Sequence, residues 1–234
     1  MHALLRPPPT VGPLPTVVDR RDPRRFATAA HTALTGSVVL AALLHLGWAE
    51  HVDPVGQTLS DYALHEGATD LFTACMVSAA AGSAALLAGL VRSRLPVGSG
   101  ALASLGVGCA GLVLSGVFPT DPAGGTPSLS GLVHRQAAGA ALAALPAAGL
   151  LLARHMHGHP ETRERARRIR HLSRASAAAS LLFLGTHLSA LRPTTPGKAR
   201  AAGLLGLAER VTVSLDIALL SAMAGALPAG RLPC

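Results

Sequence analysis

The 234-residue sequence predicts an all-α fold, a polytopic six-helix transmembrane bundle, and three observations carry that prediction. Half of the residues are hydrophobic and only 14% are charged, too few to cover a soluble domain of this length. The apolar residues, mostly Ala, Leu, Val and Gly, fall in long uncharged runs, and mean hydropathy is +0.42. The net charge is +8, yet Lys and Arg are segregated between the apolar runs. Charge placed that way reports membrane orientation and does not call for a nucleic-acid partner. A soluble bundle would show polar stripes along its helices, and these runs mostly do not.

Residues 1–26, "MHALLRPPPTVGPLPTVVDRRDPRRF", are Pro-rich and basic and are expected to form a disordered cytoplasmic tail with no secretory signal pattern. Crossing a hydrocarbon layer of about 30 Å takes about 20 residues at 1.5 Å each. Six runs meet that length, at 27–48, 68–91, 98–118, 131–153, 171–191 and 203–227. They make 27–227 the transmembrane domain and leave 228–234 as a short cytoplasmic tail. Pro146 falls inside the fourth run, where neighbouring helices absorb the lost hydrogen bond. With few bulky side chains, packing has to come from close backbone approach. Gly100, Ser104, Gly108 and Gly116 in the third run, and Arg135, Gly139, Ala143 and Ala147 in the fourth, supply small-residue spacings.

The connections set the orientation. One side holds Arg6, Arg20, Arg21, Arg24 and Arg25, then Arg92 and Arg94, then Arg154, Arg163, Arg165, Arg167, Arg168 and Arg170, then Arg231. The other holds only Arg192, Lys198 and Arg200, so fourteen basic residues face three. By the positive-inside rule both termini are cytoplasmic, in a multi-pass protein of the cell membrane. Trp48 and Tyr62 are then expected at the outer interface. Cys75 and Cys109 lie inside runs and Cys234 is last, so free thiols are expected.

The outward stretch "GVFPTDPAGGTPSLSGLVH", 116–134, lacks Lys and Arg for the same reason, but its acid and histidine need their own account. With the first connection it places His45, Ser60, Asp61, Tyr62, Asp121 and His134 at one depth. Glu209, Arg210 and Asp216 lie within the sixth run, where ionisable groups are costly and face a partner or an aqueous cavity. Glu209 and Asp216 are seven apart and share a helix face. The candidate polar cluster is therefore His45, Ser60, Asp61, Tyr62, Asp121, His134, Glu209 and Arg210. Turn chemistry competes for part of it: Pro119, Thr120, Asp121 and Pro122 suit a turn, and Ser130 suits a helix cap.

"LH" at 44–45, "DP" at 53–54, "LSDYAL" at 59–64, "GVFPTDPAGGT" at 116–126, "GLVH" at 131–134 and "ERV" at 209–211 resemble the signatures of one bacterial membrane family, domain of unknown function 998. The resemblance spans roughly 27–227 and implies a six-helix integral membrane protein with no established reaction. After "SDYAL", "HEGATDLF" departs from the family's glycine-aromatic-tryptophan-like segment.

Three function classes fit these residues. An outer-side pocket in the lipid bilayer could bind or move a lipid or small amphiphile. A metal-dependent membrane-embedded hydrolase could use zinc as cofactor, held by three of His45, Asp61, Asp121 and His134, with Ser60 as a hydrogen-bonding group. A non-catalytic accessory protein needs no chemistry at all. The first is the preferred expectation, because no HExxH-type spacing supports the second and no nucleophile elbow surrounds Ser60.

Overall fold

A computed structural model describes residues 23–93, 95–191 and 194–227. The tails expected at 1–26 and 228–234 lie outside the described residues except for 23–26, which begin the first helix, and Cys234 lies outside with them. Among the described residues every regular element is helical: α1 (Pro23–Gly47), α2 (Thr69–Arg92), α3 (Ser99–Val117), α4 (Leu129–Met156), α5 (Arg163–Leu191), α6 (Pro196–Ala202) and α7 (Leu205–Ala224). Two 3-10 segments, Leu59–Leu64 and Pro160–Thr162, complete the set.

Local chemistry fixes the ends. Pro23 opens α1 and Pro196 opens α6, where the missing N–H costs nothing. Phe118, held extended before Pro119, stops α3. Ser128, not Ser130, caps α4: its hydroxyl accepts from Gly131 N at 2.9 Å, while Ser130 Oγ donates to Pro119 O at 3.0 Å.

α1 to α4 are each long and apolar enough to cross a membrane. α5 and α7, which cover the fifth and sixth expected spans, fall outside that set. α5 opens on the basic run 163–170, and α7 carries Glu209, Arg210 and Asp216 within 20 residues.

The helices pack in chain order, α1 on α2, α2 on α3, α3 on α4, α4 on α5 and α5 on α7, and α7 returns to α1 while also touching α2 and α4. The main apolar core, with Leu34, Leu86, Leu105, Leu152, Ile169 and Leu219 fully buried, fills the half towards the basic α4–α5 connection. A smaller core of Leu44, Val52, Leu59, Tyr62, Ala68 and Phe72 closes the opposite end. Tyr62 is 1% exposed, so it is a core residue and not the interfacial anchor expected for it. Its segment folds back over the bundle end, where Leu207 N donates to Val55 O at 2.9 Å.

The close helix contact is also not where the spacing placed it on α4. Arg135, Gly139 and Ala143 are exposed, and the buried stripe is His134, Ala137, Ala141 and Leu145. A Cβ on Gly111 of α3 would sit 2.6 Å from Ala137 O, so here the two backbones touch. Cys75 and Cys109 are free, and the Cys75 thiol lies 3.4 Å from Ser37 Oγ.

Candidate functional site: a cavity beneath the 59–64 segment

The 3-10 segment is held by its own acid. Asp61 Oδ2 accepts from Thr58 N at 2.6 Å and from Thr58 Oγ1 at 2.9 Å, and Ser60 Oγ lies 3.0 Å from Thr58 Oγ1. Asp61 thus closes a capping box with Thr58. Beneath it, Arg210 Nε donates to His45 Nε2 at 2.7 Å. A guanidinium only donates, so that ring nitrogen is the acceptor, and the proton sits on Nδ1, which donates to Ala41 O at 2.7 Å. Both His45 nitrogens are therefore engaged. Arg210 Nη1 donates to Gln57 O at 2.7 Å and Gly206 O at 3.1 Å, and its guanidinium lies 5.8 Å from the centre of the Tyr62 ring. Its Nη2 is buried without a partner. Glu209 Oε2 accepts from Leu59 N, so consecutive residues of α7 pin the first connection from two sides.

The third connection forms a second group. Asp121 accepts from Ser128 Oγ at 2.6 Å and Ser128 N at 3.1 Å, and Arg135 Nη1 stands 3.6 Å away. The Ser128 hydroxyl and N–H hold the Asp121 carboxyl below its usual range against a smaller desolvation, with Arg135 adding to the lowering. Asp121 thus braces the cap of α4. His134, 5% exposed, donates from Nδ1 to Phe118 O at 3.0 Å, which leaves Nε2 as the ring's acceptor. The hydrogen bonds of Asp121 go to Ser128, and those of Arg210 go to His45, Gln57 and Gly206. The eight expected residues therefore divide between two networks.

What joins them is a cavity of about 360 Å³ between the two cores. Ser60, His134 and Glu209 line its upper wall, with Phe72 beside His134 at 6.4 Å between ring centres. His45, Asp61, Tyr62, Asp121 and Arg210 stand behind that wall as supports and do not line it. Elsewhere the walls are largely apolar, with Leu112, Leu142, Leu145, Ile217 and Leu220, and Ser37, Ser115 and one acid, Asp216, stand among them. Asp216 is 2% exposed; its Oδ1 accepts from Ser176 Oγ of α5, and its Oδ2 has no partner. Val38 of α1 and Ser214 of α7 belong to the lining and are exposed, so the cavity is open along the α1–α7 seam.

The metal set expected from the sequence, His45, Asp61, Asp121 and His134, does not gather. Among the described residues no three His, Cys, Asp or Glu side chains stand as a group able to hold a metal ion. The cause is visible in the partners: His45 is locked between Ala41 and Arg210, and the two acids serve as caps. Ser176 and Phe72 escaped the sequence reading, and neither carried a usable signal; Arg135 was read as part of a packing stripe of α4 and stands instead beside Asp121.

No curated protein and no solved structure matches the chain. The family model described as Protein of unknown function (DUF998) matches residues 29–226. With the match covering nearly all of the helical bundle, the chain belongs to the DUF998 family.

Proposed function

We propose that the protein is a six-span integral protein of a bacterial cytoplasmic membrane, with both termini inside, and that its cavity binds or moves a lipid or small amphiphile. The spans are α1 to α5 and α7, and the fourteen-to-three asymmetry of basic residues orients them. Charges inside α7 are compatible with a span because they face partners within the bundle and not lipid: Glu209 meets Leu59, Arg210 meets His45 and Asp216 meets Ser176.

One observation carries the ligand reading. The cavity combines polar groups, on its upper wall and at Asp216, with an otherwise largely apolar body, and it is open at Val38 and Ser214 in the middle of the helices. A molecule entering there comes from the hydrocarbon layer, and a chain with a polar end matches both parts of the wall. The hydrolase reading loses its ligand set and is not retained.

Native mass spectrometry of the detergent-purified protein tests the proposal. The wild type is expected to carry a bound amphiphile. Ala138→Trp, which fills the cavity from α4 at a half-buried position, is expected to lose it. Equal retention by both proteins, or bare protein in both, overturns the reading.

A further inference from the structure

We infer that the cavity selects a cationic amphiphile, a protonated alkyl amine, and that Asp216 is the acceptor for its head. The inference rests on the amphiphile reading above and narrows it to a ligand class. Two carboxylates, Glu209 and Asp216, stand on the cavity wall. At seven residues' separation on one helix they are about 10 Å apart along its axis. No Lys or Arg is among the lining residues. The Arg210 guanidinium is not part of the lining; it donates to His45, Gln57 and Gly206 and has its Nη2 buried, and His134 donates from Nδ1 to Phe118 O.

The two acids differ in what remains open. Glu209 holds the Leu59 N–H and secures the 59–64 segment. Among the described residues Asp216 receives only the Ser176 hydroxyl, on Oδ1, and Oδ2 is buried, on a residue of the cavity wall, with no donor. A buried carboxylate oxygen without a donor is costly, and the cost rises in the middle of a span. An ammonium group supplies both missing elements, since it brings three N–H donors and the compensating charge. An alcohol brings one donor and no charge, and a fatty acid adds a third carboxyl group to a wall that already holds two. The alkyl chain then lies along the apolar wall of Leu142, Leu145 and Ile217 and leaves through the α1–α7 seam.

The test is thermal unfolding of the purified full chain in a nonionic maltoside with dodecylamine, dodecanol or dodecanoate at equal concentrations. Dodecylamine is expected to raise the midpoint by about 5–11 °C at concentrations near a hundred times its dissociation constant, with smaller increments from the other two. Asp216→Asn keeps the size of the side chain and is expected to erase the amine increment, whereas Ser176→Ala, which leaves the carboxylate, keeps it. Should Asp216→Asn fail to fold, the wild-type comparison of the three probes, with Ala138→Trp as the blocked cavity, decides. Stabilisation by dodecanol or dodecanoate equal to or above that by the amine overturns the cationic head and leaves the amphiphile reading standing. No shift from any probe defeats both. An amine increment that survives in Asp216→Asn overturns the role of Asp216.

Discussion

Replacing Gly111 by Ala adds one methyl group where two helices have no room for it. The new Cβ would lie 2.6 Å from Ala137 O and 3.0 Å from both Ala141 N and Ala141 Cβ. Two of these three are backbone atoms of α4, so relief requires α3 and α4 to move apart over their shared face. Overpacking of that kind costs about 1–3 kcal/mol. The gain from Gly to Ala in a helix interior is about 1 kcal/mol in the other direction. The net expectation is a loss of up to about 2 kcal/mol, and at about 2–4 °C per kcal/mol the midpoint falls by up to about 8 °C. Gly139 supplies the contrast, because a Cβ there meets nothing within 4 Å. Gly139→Ala should therefore keep the helix gain of up to about 1 kcal/mol without the clash. Gly108→Ala belongs between them: its closest neighbour, at 2.5 Å, is Leu145 Cδ2, the far end of a flexible side chain. Circular dichroism melts of the three variants in one detergent check the order. If Gly139→Ala is the most destabilising, α4 faces α3 through the stripe expected from sequence spacing, and the packing described above is wrong.

Two further outcomes are expected. Because the Ser128 donors lower the Asp121 carboxyl, its contribution is complete above the ordinary carboxylate value of about pH 4 and is lost as pH falls through the lowered value. The midpoint difference between wild type and Asp121→Asn should thus stay flat from about pH 8 to pH 5 and shrink only below about pH 4; a difference that disappears near pH 6 refutes the cap role. For topology, single cysteines at Gln57 and Ala123 in a background lacking Cys75, Cys109 and Cys234 should react with an impermeant thiol reagent in intact cells. One at Glu161 should not, and the reverse pattern inverts the proposed orientation. Ala123 is chosen over Gly124, whose φ of +74° disfavours a side chain.

The helices were legible because long uncharged runs end on strong local signals. Pro119 follows the expected end of the third run, and α3 stops at Val117; Pro23 instead opens α1 four residues before the expected start, and α6, opened by Pro196, was not expected. The faces were not legible. In α3 every position but Cys109, and in α4 every position from 137 to 153 but Pro146, is Ala, Gly, Ser, Leu or Val, so neither stretch has a polar side to declare its outside. Either of two small-residue stripes on α4 could then have met α3, and the spacing pointed to the one that is exposed. Tyr62 was misplaced for a different reason. Its burial depends on the first connection folding back onto α7 through Leu207–Val55 and Glu209–Leu59 bonds, which join residues about 150 positions apart. No local pattern encodes such a pairing.

The same distinction decides which polar residues deserve a functional test. Sequence reasoning found them by their cost, since an ion inside a span has to be compensated, and that argument selects structural and functional groups alike. Geometry separates them by what is left over. Asp61 is consumed by Thr58 and Asp121 by Ser128, and both nitrogens of His45 are engaged, so these three hold the architecture of the cavity wall. His134 keeps Nε2 for the cavity, and Asp216 keeps an oxygen that no described residue satisfies. A group whose bonding capacity is filled has little to offer a ligand. Removing it should damage folding, whereas removing the unsatisfied acid should relieve a cost in the empty protein and weaken the bound one. Asp216→Asn is therefore expected to separate stability from ligand response, and Asp61→Asn is expected to lower both together.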